Sequence, residues 1–357
     1  MREFEENIRR VDPYVPGDQP RQKVVKLNTN ENPYPPAPGV GEALKNMDPE
    51  KLKLYPDPKS TDQVRALAEH YHVREDQVFL GAGSDDVLSM CFLTFFNSKR
   101  PIFFPDVTYS FYPVWAELYR IPYECKKLDD DFRLKKEDYY RPNGGIIFPN
   151  PNAPTGLYEP MDVVEDIVSH NPESIVIVDE AYVDFAGRSA IELVSEYDNL
   201  IVVQTFSKSR SLAGLRVGYA IANPKLIAYL NDVRYSFNSY NMNLTAQVLG
   251  LASLQDESYF RENLKKITTT REWAKGELEK LGFVCLDSQA NFLFVTHPHY
   301  DAYEMYKELK TAGIYVRHFD KPRTRNYLRI SIGTEEEMQL LFAFFKHYVS
   351  SEDKQDT

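Results

Sequence analysis

Cysteine is scarce in this chain: the three present, Cys91, Cys125 and Cys285, are odd in number and far apart. No disulfide framework is expected from that pattern. Cys91, inside the apolar run Leu88-Ser-Met-Cys-Phe-Leu93, reads as a core residue. Positive charge is also in deficit. The net charge of -11 at pH 7 is opposite in sign to the basic stripe of a nucleic-acid binder, and no RRM, zinc-finger or bZIP pattern is present. Long apolar runs are missing as well. None reaches the roughly eighteen residues of a membrane helix, and Met1-Arg-Glu-Phe-Glu-Glu6 lacks the apolar stretch of a secretory leader. A cytoplasmic protein with no membrane and no nucleic-acid partner is therefore expected. The seven histidines are scattered, and His297-Pro-His299 has no partner cluster, so no metal site is expected. No repeat of fixed period is visible.

With 357 residues, 43% hydrophobic and 27% charged, the chain suits one large globular domain plus a smaller one. Its first forty residues are rich in proline and asparagine, as in Asp12-Pro-Tyr-Val-Pro-Gly17 and Asn28-Thr-Asn-Glu-Asn-Pro-Tyr-Pro-Pro36, which predicts an irregular arm that packs on something. An N-capped helix is predicted from Thr61 to about His72. The strand Gln77-Val-Phe-Leu80 then runs into Gly81-Ala-Gly-Ser-Asp-Asp86, a turn that opens an apolar helix and so offers an anion seat. Strands and helices alternate from there through Pro101-Ile-Phe-Phe104, Gly145-Ile-Ile-Phe148, Ser174-Ile-Val-Ile-Val178, Leu200-Ile-Val-Val203 and Gly218-Tyr-Ala-Ile221. Such alternation predicts an α/β fold with a mainly parallel sheet covered on both faces. After about Asn243 long helices take over, followed by a smaller strand–helix group. Ser350–Thr357 is polar enough to be expected disordered.

The segment Thr205-Phe-Ser-Lys-Ser-Arg-Ser-Leu-Ala-Gly-Leu-Arg216 follows one of these apolar strands. Lys208 should therefore sit at a strand exit, where α/β folds place their chemistry and where a desolvated lysine can serve as a Schiff-base amine. Ser207 and Ser209 supply hydroxyls and Arg216 a cation, the donor set of a phosphate monoester site. Other strand ends carry Asp179-Glu-Ala-Tyr182 and the stiff loop Pro149-Asn-Pro-Asn-Ala-Pro-Thr-Gly156. Buried at a strand end, Asp179 needs a protonated group opposite it, and a pyridinium nitrogen would fit.

Taken together, Asn28-Thr-Asn-Glu-Asn-Pro33, Tyr55-Pro-Asp57, Gly81-Ala-Gly-Ser-Asp-Asp86, Thr108-Tyr109, Pro151-Asn-Ala-Pro-Thr-Gly156, Asp179-Glu-Ala-Tyr182, Ser207-Lys208, Ala213-Gly-Leu-Arg216 and Leu328-Arg329 resemble, in order, the motifs of the fold-type I pyridoxal-phosphate (PLP) enzymes. The likeness is greatest to the class II histidinol-phosphate aminotransferase family. It implies a large PLP-binding domain over 30–250, with 1–29 and 251–357 as an N-terminal arm and a small C-terminal domain. It also implies roles. Lys208 would take the cofactor aldehyde and then shuttle the substrate proton, Asp179 would keep the pyridine nitrogen protonated, Tyr182 would bond the ring 3′-oxygen, and Tyr109 would stack on the ring. Ser84 and Asp85 at the helix N-terminus, with Ser207 and Arg216, would seat the phosphate. Tyr55 would reach the phosphate of a neighbouring subunit, which makes a homodimer the expected assembly. One position departs from the family pattern: Ala153 stands where a second asparagine usually touches the ring oxygen. Asn152 would rotate in to replace it, or Tyr182 would make the contact alone.

The resemblance further implies that Arg329 and Arg317 share the phosphate of histidinol phosphate, helped by Tyr14 of the arm. Positive charge concentrates at Arg317, His318, Lys321, Arg323, Arg325 and Arg329, although Lys321, Arg323 and Arg325 read as a basic surface loop. The expected reaction is amino transfer from histidinol phosphate to 2-oxoglutarate. An aromatic amino acid aminotransferase or a threonine-phosphate decarboxylase, a lyase on the same fold, are the alternatives. A PLP-sensing transcription regulator would need a DNA-binding domain, for which the short acidic N-terminus has no room.

Overall fold

The computed structural model describes residues 3–352. Its strands, numbered along the chain, are β1 (Val25–Lys26), β2 (Val78–Gly81), β3 (Ile102–Pro105), β4 (Tyr123–Lys126), β5 (Ile146–Pro149), β6 (Val176–Asp179), β7 (Leu200–Thr205), β8 (Gly218–Ala222), β9 (Val284–Cys285), β10 (Phe292–Thr296), β11 (Ile314–Tyr315), β12 (Arg317–His318) and β13 (Leu328–Ser331).

The central sheet has the order β2-β8-β7-β6-β5-β3-β4. Every residue of β5, β6 and β7 is buried, as expected of β-branched strands with helices on both faces. Their side chains alternate between two core layers. Val176, Val178, Leu200 and Val202 pack with Leu67, Ile167 and Leu249 on one face, while Ile177, Ile201 and Val203 pack with Leu88, Trp115 and Leu230 on the other. Each such fully buried side chain contributes about 1.5–3 kcal/mol relative to exposure. One strand departs from the parallel pattern: β8 runs antiparallel to both β2 and β7. The chain returns from β7 to β8 through 206–217 without the crossover helix that a parallel neighbour requires.

The smaller unit is an antiparallel sheet, β12-β13-β10-β9. It is backed by the helices Glu257–Lys280, Ala302–Thr311 and Glu335–Glu352, with Phe292, Leu328, Ile330, Ile267, Met305 and Phe345 at its core. The arm is less irregular than its prolines suggest. It includes a helical turn at Glu3–Glu6, and β1 pairs in parallel with β11. The helix Pro38–Lys45 begins with proline at its first position, where the missing N–H has no intrahelical partner to lose. The helix Thr61–Tyr71 is capped from further back than its sequence suggests. Ser60 sits in the left-handed region and makes no side-chain cap, while Asp57 Oδ2 accepts the Thr61 N–H at 2.7 Å. The closing helix runs to Glu352, so the expected disorder of 350–357 does not hold at its start, and from 353 onward it lies outside the described residues.

Arg323 corrects its reading as a surface-loop cation. Its guanidinium donates to both Asp106 oxygens at 3.1 and 3.2 Å and to the Leu128 carbonyl at 3.1 Å, tying the small unit to the large one. No helix among the described residues is long and apolar enough to cross a membrane.

Candidate active site

The carboxyl ends of β5, β6 and β7 and the N-terminus of the helix Ser84–Phe95 converge on a cavity of about 160 Å³, far larger than the roughly 10–15 Å³ that admits one water. Eight of the predicted residues line it: Ser84, Asp85, Tyr109, Asp179, Tyr182, Ser207, Lys208 and Arg216. These positions lie up to 132 residues apart in sequence. Parallel strands bring them together by ending at one edge.

At one end stands a cluster suited to an anion. Arg216 Nη1 lies 3.4 Å from Ser207 Oγ, and its Nη2 lies 3.2 Å from Asp85 Oδ2. The turn before the helix is pressed against this arginine. Gly83 has φ +92°, and a Cβ there would come within 2.4 Å of Arg216 Nη2. A Cβ on Gly218 would likewise meet Ser84 N at 2.2 Å. Only glycine at both positions lets the backbone of the turn, the hydroxyls and the guanidinium share one concavity. Gly83→Ala is expected to displace Arg216 and to add about 1–3 kcal/mol of backbone strain. A lowered Tm together with at least about tenfold weaker PLP uptake in a fluorescence titration would be the result.

At the other end Asp179 is buried. Burial pushes its carboxyl up to about 6, although the Tyr112 hydroxyl, donating to Oδ2 at 2.8 Å, and the Ala181 N–H at 3.3 Å favour the charged form. No motif singles out Tyr112; the sequence signal for it is that a buried carboxylate needs a donor, and it lies three residues after Tyr109, in the first turn of the helix Phe111–Tyr119. Burial and the Asp85 charge hold the Tyr109 phenol well above its ordinary value, so it stays protonated and donates to Asp85 Oδ1 at 2.9 Å.

Between the two ends, Lys208 Nζ donates to the Thr29 carbonyl at 3.2 Å and lies 5.7 Å from the Tyr182 ring centre. Asn32 Nδ2 donates to the carbonyls of Lys208 and Ser209 at 3.2 and 3.0 Å, which fixes the backbone under the lysine. Asn30, with φ +57° that asparagine tolerates, donates from Nδ2 to the Tyr182 hydroxyl at 2.9 Å and leaves that O–H free to donate. Asn30 and Asn32 lie in the asparagine-rich motif, but nothing in its spacing indicates which side chain points where.

The remaining predicted residues lie outside the cavity wall. Asn152 Nδ2 donates to the Val107 carbonyl and Thr155 Oγ1 at 3.1 and 3.0 Å and so braces its own loop, while Ala153 faces the cavity. Tyr14 stacks on Phe111 with ring centres 4.3 Å apart and lies 6.4 Å from Tyr109. Arg317 and Arg329 are cross-strand neighbours on β12 and β13. Arg317 donates to the Val15 carbonyl at 3.2 Å and Arg329 to the Asn28 carbonyl at 2.9 Å, while Arg329 Nε is buried with no hydrogen-bond partner among the described residues. Burial draws the Arg329 guanidinium below its ordinary value. Tyr55 is 81% exposed and stacks on Tyr240 with ring centres 4.5 Å apart.

These groups fit PLP. A cation, two hydroxyls and a helix N-terminus match a phosphate; an acid with room for a protonated partner matches a pyridine nitrogen; a lysine between them matches an aldehyde. Fold and site together are those of a fold-type I PLP-dependent transferase. The family model for aminotransferase class I and II matches residues 22–345, and the chain belongs to that family. A histidinol-phosphate aminotransferase of Lactococcus lactis subsp. cremoris (strain SK11) is 49% identical over 352 residues, 98% of this chain and 99% of that protein. One from Clostridium botulinum (strain Langeland / NCTC 10281 / Type F) is 45% identical over the same share of each. The crystal structure of histidinol-phosphate aminotransferase from Sinorhizobium meliloti in complex with pyridoxal-5'-phosphate superposes with a TM-score of 0.85 over 92% of both chains, at 24% identity, a likeness of fold.

Proposed function

We propose that this enzyme transfers the amino group of histidinol phosphate to 2-oxoglutarate, giving imidazole acetol phosphate and glutamate, as a cytoplasmic step of histidine biosynthesis. The observation that carries the substrate is the pair Arg317 and Arg329, held directly opposite one another on β12 and β13. Like charges in that register destabilise a sheet, and an anion shared between them removes the repulsion. A phosphate monoester, or a carboxylate of the acceptor in the second half of the cycle, satisfies both guanidinium groups. Tyr14 of the arm, next in sequence to Val15, whose carbonyl accepts from Arg317, would help at this end.

PLP, when bound, supplies an electron sink that makes the α-C–H of an amine acidic. This chain's residues do the rest. Lys208 holds the cofactor and moves the proton at the substrate α-carbon. Asp179, braced by Tyr112, would keep a proton on the ring nitrogen, and the Tyr182 hydroxyl would donate to the ring oxygen. Ser84, Asp85, Ser207 and Arg216 fix the phosphate end, with Arg216 offsetting the Asp85 charge. Tyr109 would cover the ring face, and Asn152 holds the loop that carries Ala153. The exposed Tyr55 suits a homodimer in which each subunit reaches the other's phosphate site.

The test is the absorbance change of PLP-loaded enzyme on adding histidinol phosphate with no acceptor present, alongside phenylalanine and threonine phosphate. Conversion to the pyridoxamine band at far lower histidinol phosphate concentration supports the reading. Turnover of a rival without such conversion moves the function to that rival. Arg317→Ala is expected to raise the KM for histidinol phosphate about 10–100-fold, the equivalent of one charge-assisted hydrogen bond.

A further inference from the structure

Three carboxylates face the cavity that holds Lys208: Asp179, Asp85 and Glu31. Two have their oxygens engaged. Asp179 accepts from Tyr112 and the Ala181 N–H, and Asp85 from Tyr109 and Arg216. Glu31 differs. Its Oε2 accepts from both Lys26 Nζ and Thr29 Oγ1, the latter at 2.9 Å, whereas its Oε1 takes no hydrogen bond among the described residues. Half-burial raises the Glu31 carboxyl, but the Lys26 and Thr29 hydrogen bonds and the Lys26 and Lys208 charges outweigh this and leave it below the usual carboxylate range. The cavity wall thus includes an ionised carboxylate pinned through one oxygen, while its other oxygen takes no hydrogen bond among the described residues. Because the side chain is already fixed, accepting a ligand N–H there costs little further rotamer freedom.

We propose that Glu31 Oε1 accepts the ring N–H of the amino donor, and so is the residue that separates an imidazole-bearing amine from a phenyl-bearing one. The inference rests on the histidinol-phosphate reading above. The other walls near Lys208 do not make this distinction: Tyr109, Tyr182 and Ala153 offer ring faces and a methyl group, which a phenyl ring contacts as well as an imidazole does. An open carboxylate oxygen makes it by chemistry. An imidazole N–H satisfies it, whereas a phenyl ring covers it without a donor and leaves a desolvated acceptor unpaired. Lys26 already balances the charge of Glu31, so a neutral imidazole suffices.

The comparison to make is between histidinol phosphate and phenylalaninol phosphate, which differ only in the ring, using PLP-loaded wild type, Glu31→Ala and Glu31→Gln. For Glu31→Ala the expected result is a 10–100-fold higher KM for histidinol phosphate. The KM of the phenyl analogue, or its inhibition constant where it is not turned over, should move less than about threefold. Glu31→Gln keeps an acceptor oxygen without the charge and should fall between. Cofactor absorbance should match wild type in both variants, and Tm should fall only slightly with the loss of the Lys26 pair. Equal losses for both amines, or no loss for either, would overturn the proposal. Failure of the wild type to convert histidinol phosphate would overturn the functional reading itself, a result seen without any substitution.

Discussion

Lys208→Ala is expected to fold as wild type does, to take up PLP, and to lose transamination by about a thousandfold or more. Three observations set this expectation. The lysine amine makes one hydrogen bond among the described residues, to the Thr29 carbonyl, so the fold loses little with it. The backbone at 208 and 209 stays clamped by Asn32, so the strand exit keeps its path. The groups proposed to hold the PLP phosphate, and Asp179 at the proposed ring-nitrogen end, all remain, so PLP uptake is expected to persist. What goes is the group proposed to move the α-proton, and general acid–base catalysis by a positioned side chain contributes typically 10²–10⁴-fold. Because truncation leaves a void where the amine stood, a small primary amine such as methylamine should restore part of the rate, with a pH dependence that follows the added amine. Circular dichroism, Tm and a PLP titration establish the fold; single-turnover rates with and without methylamine establish the role. Activity within tenfold of wild type would remove Lys208 from the chemistry.

The parts of the fold that the sequence made legible are those that local chemistry decides. Ser174-Ile-Val-Ile-Val178 and Leu200-Ile-Val-Val203 admit no solvent face, so they become central strands whatever surrounds them. Their polar residues follow at the ends, which places Asp179 and Lys208 at one edge. The direction of β8 was not legible in this way, because antiparallel pairing depends on how 206–217 folds back and a short apolar strand reads alike in both directions.

Side-chain direction was the second thing hidden. Tyr112 and Tyr109 lie on the same short segment, yet one serves Asp179 and the other Asp85. That division follows from the helix Phe111–Tyr119 crossing the strand ends, which no spacing rule states. Asn30, Glu31 and Asn32 are consecutive residues with three separate partners, Tyr182, Lys26 and the backbone of Lys208. A turn with a positive φ at Asn30 separates them. Arg323 reads as surface charge because its partners, Asp106 and two carbonyls, come from two loops, after β3 and after β4, some two hundred residues earlier.

Asp179→Asn should separate stability from activity, and in opposite directions. In the cofactor-free protein the Asp179 carboxyl is pushed up to about 6 from 3.8. The sign follows from proton binding: between those two values the folded state holds a proton that the unfolded state has released, so stability falls as pH rises through that window. Above pH 7 the full difference applies, about 3 kcal/mol. Asparagine carries no charge, and its oxygen can still accept from Tyr112 or the Ala181 N–H. Cofactor-free Asp179→Asn is therefore expected to melt above wild type at pH 7.5, with the gap narrowing by about half at pH 5. Activity should move the other way. Without a carboxylate the ring nitrogen loses its counter-charge, and a drop of at least about a hundredfold in kcat is expected, from the loss of a buried charge–charge contact worth several kcal/mol. PLP binding should also stop raising Tm as much at pH 7.5, because in wild type the protonated ring relieves the buried charge and in the variant there is none to relieve. Equal melting temperatures at both pH values would mean that Asp179 is not strained in the empty site, and undiminished turnover would mean that it does not face the ring nitrogen. A variant that is both more stable and nearly inactive would identify Asp179 as a residue kept for its charge against the preference of the fold.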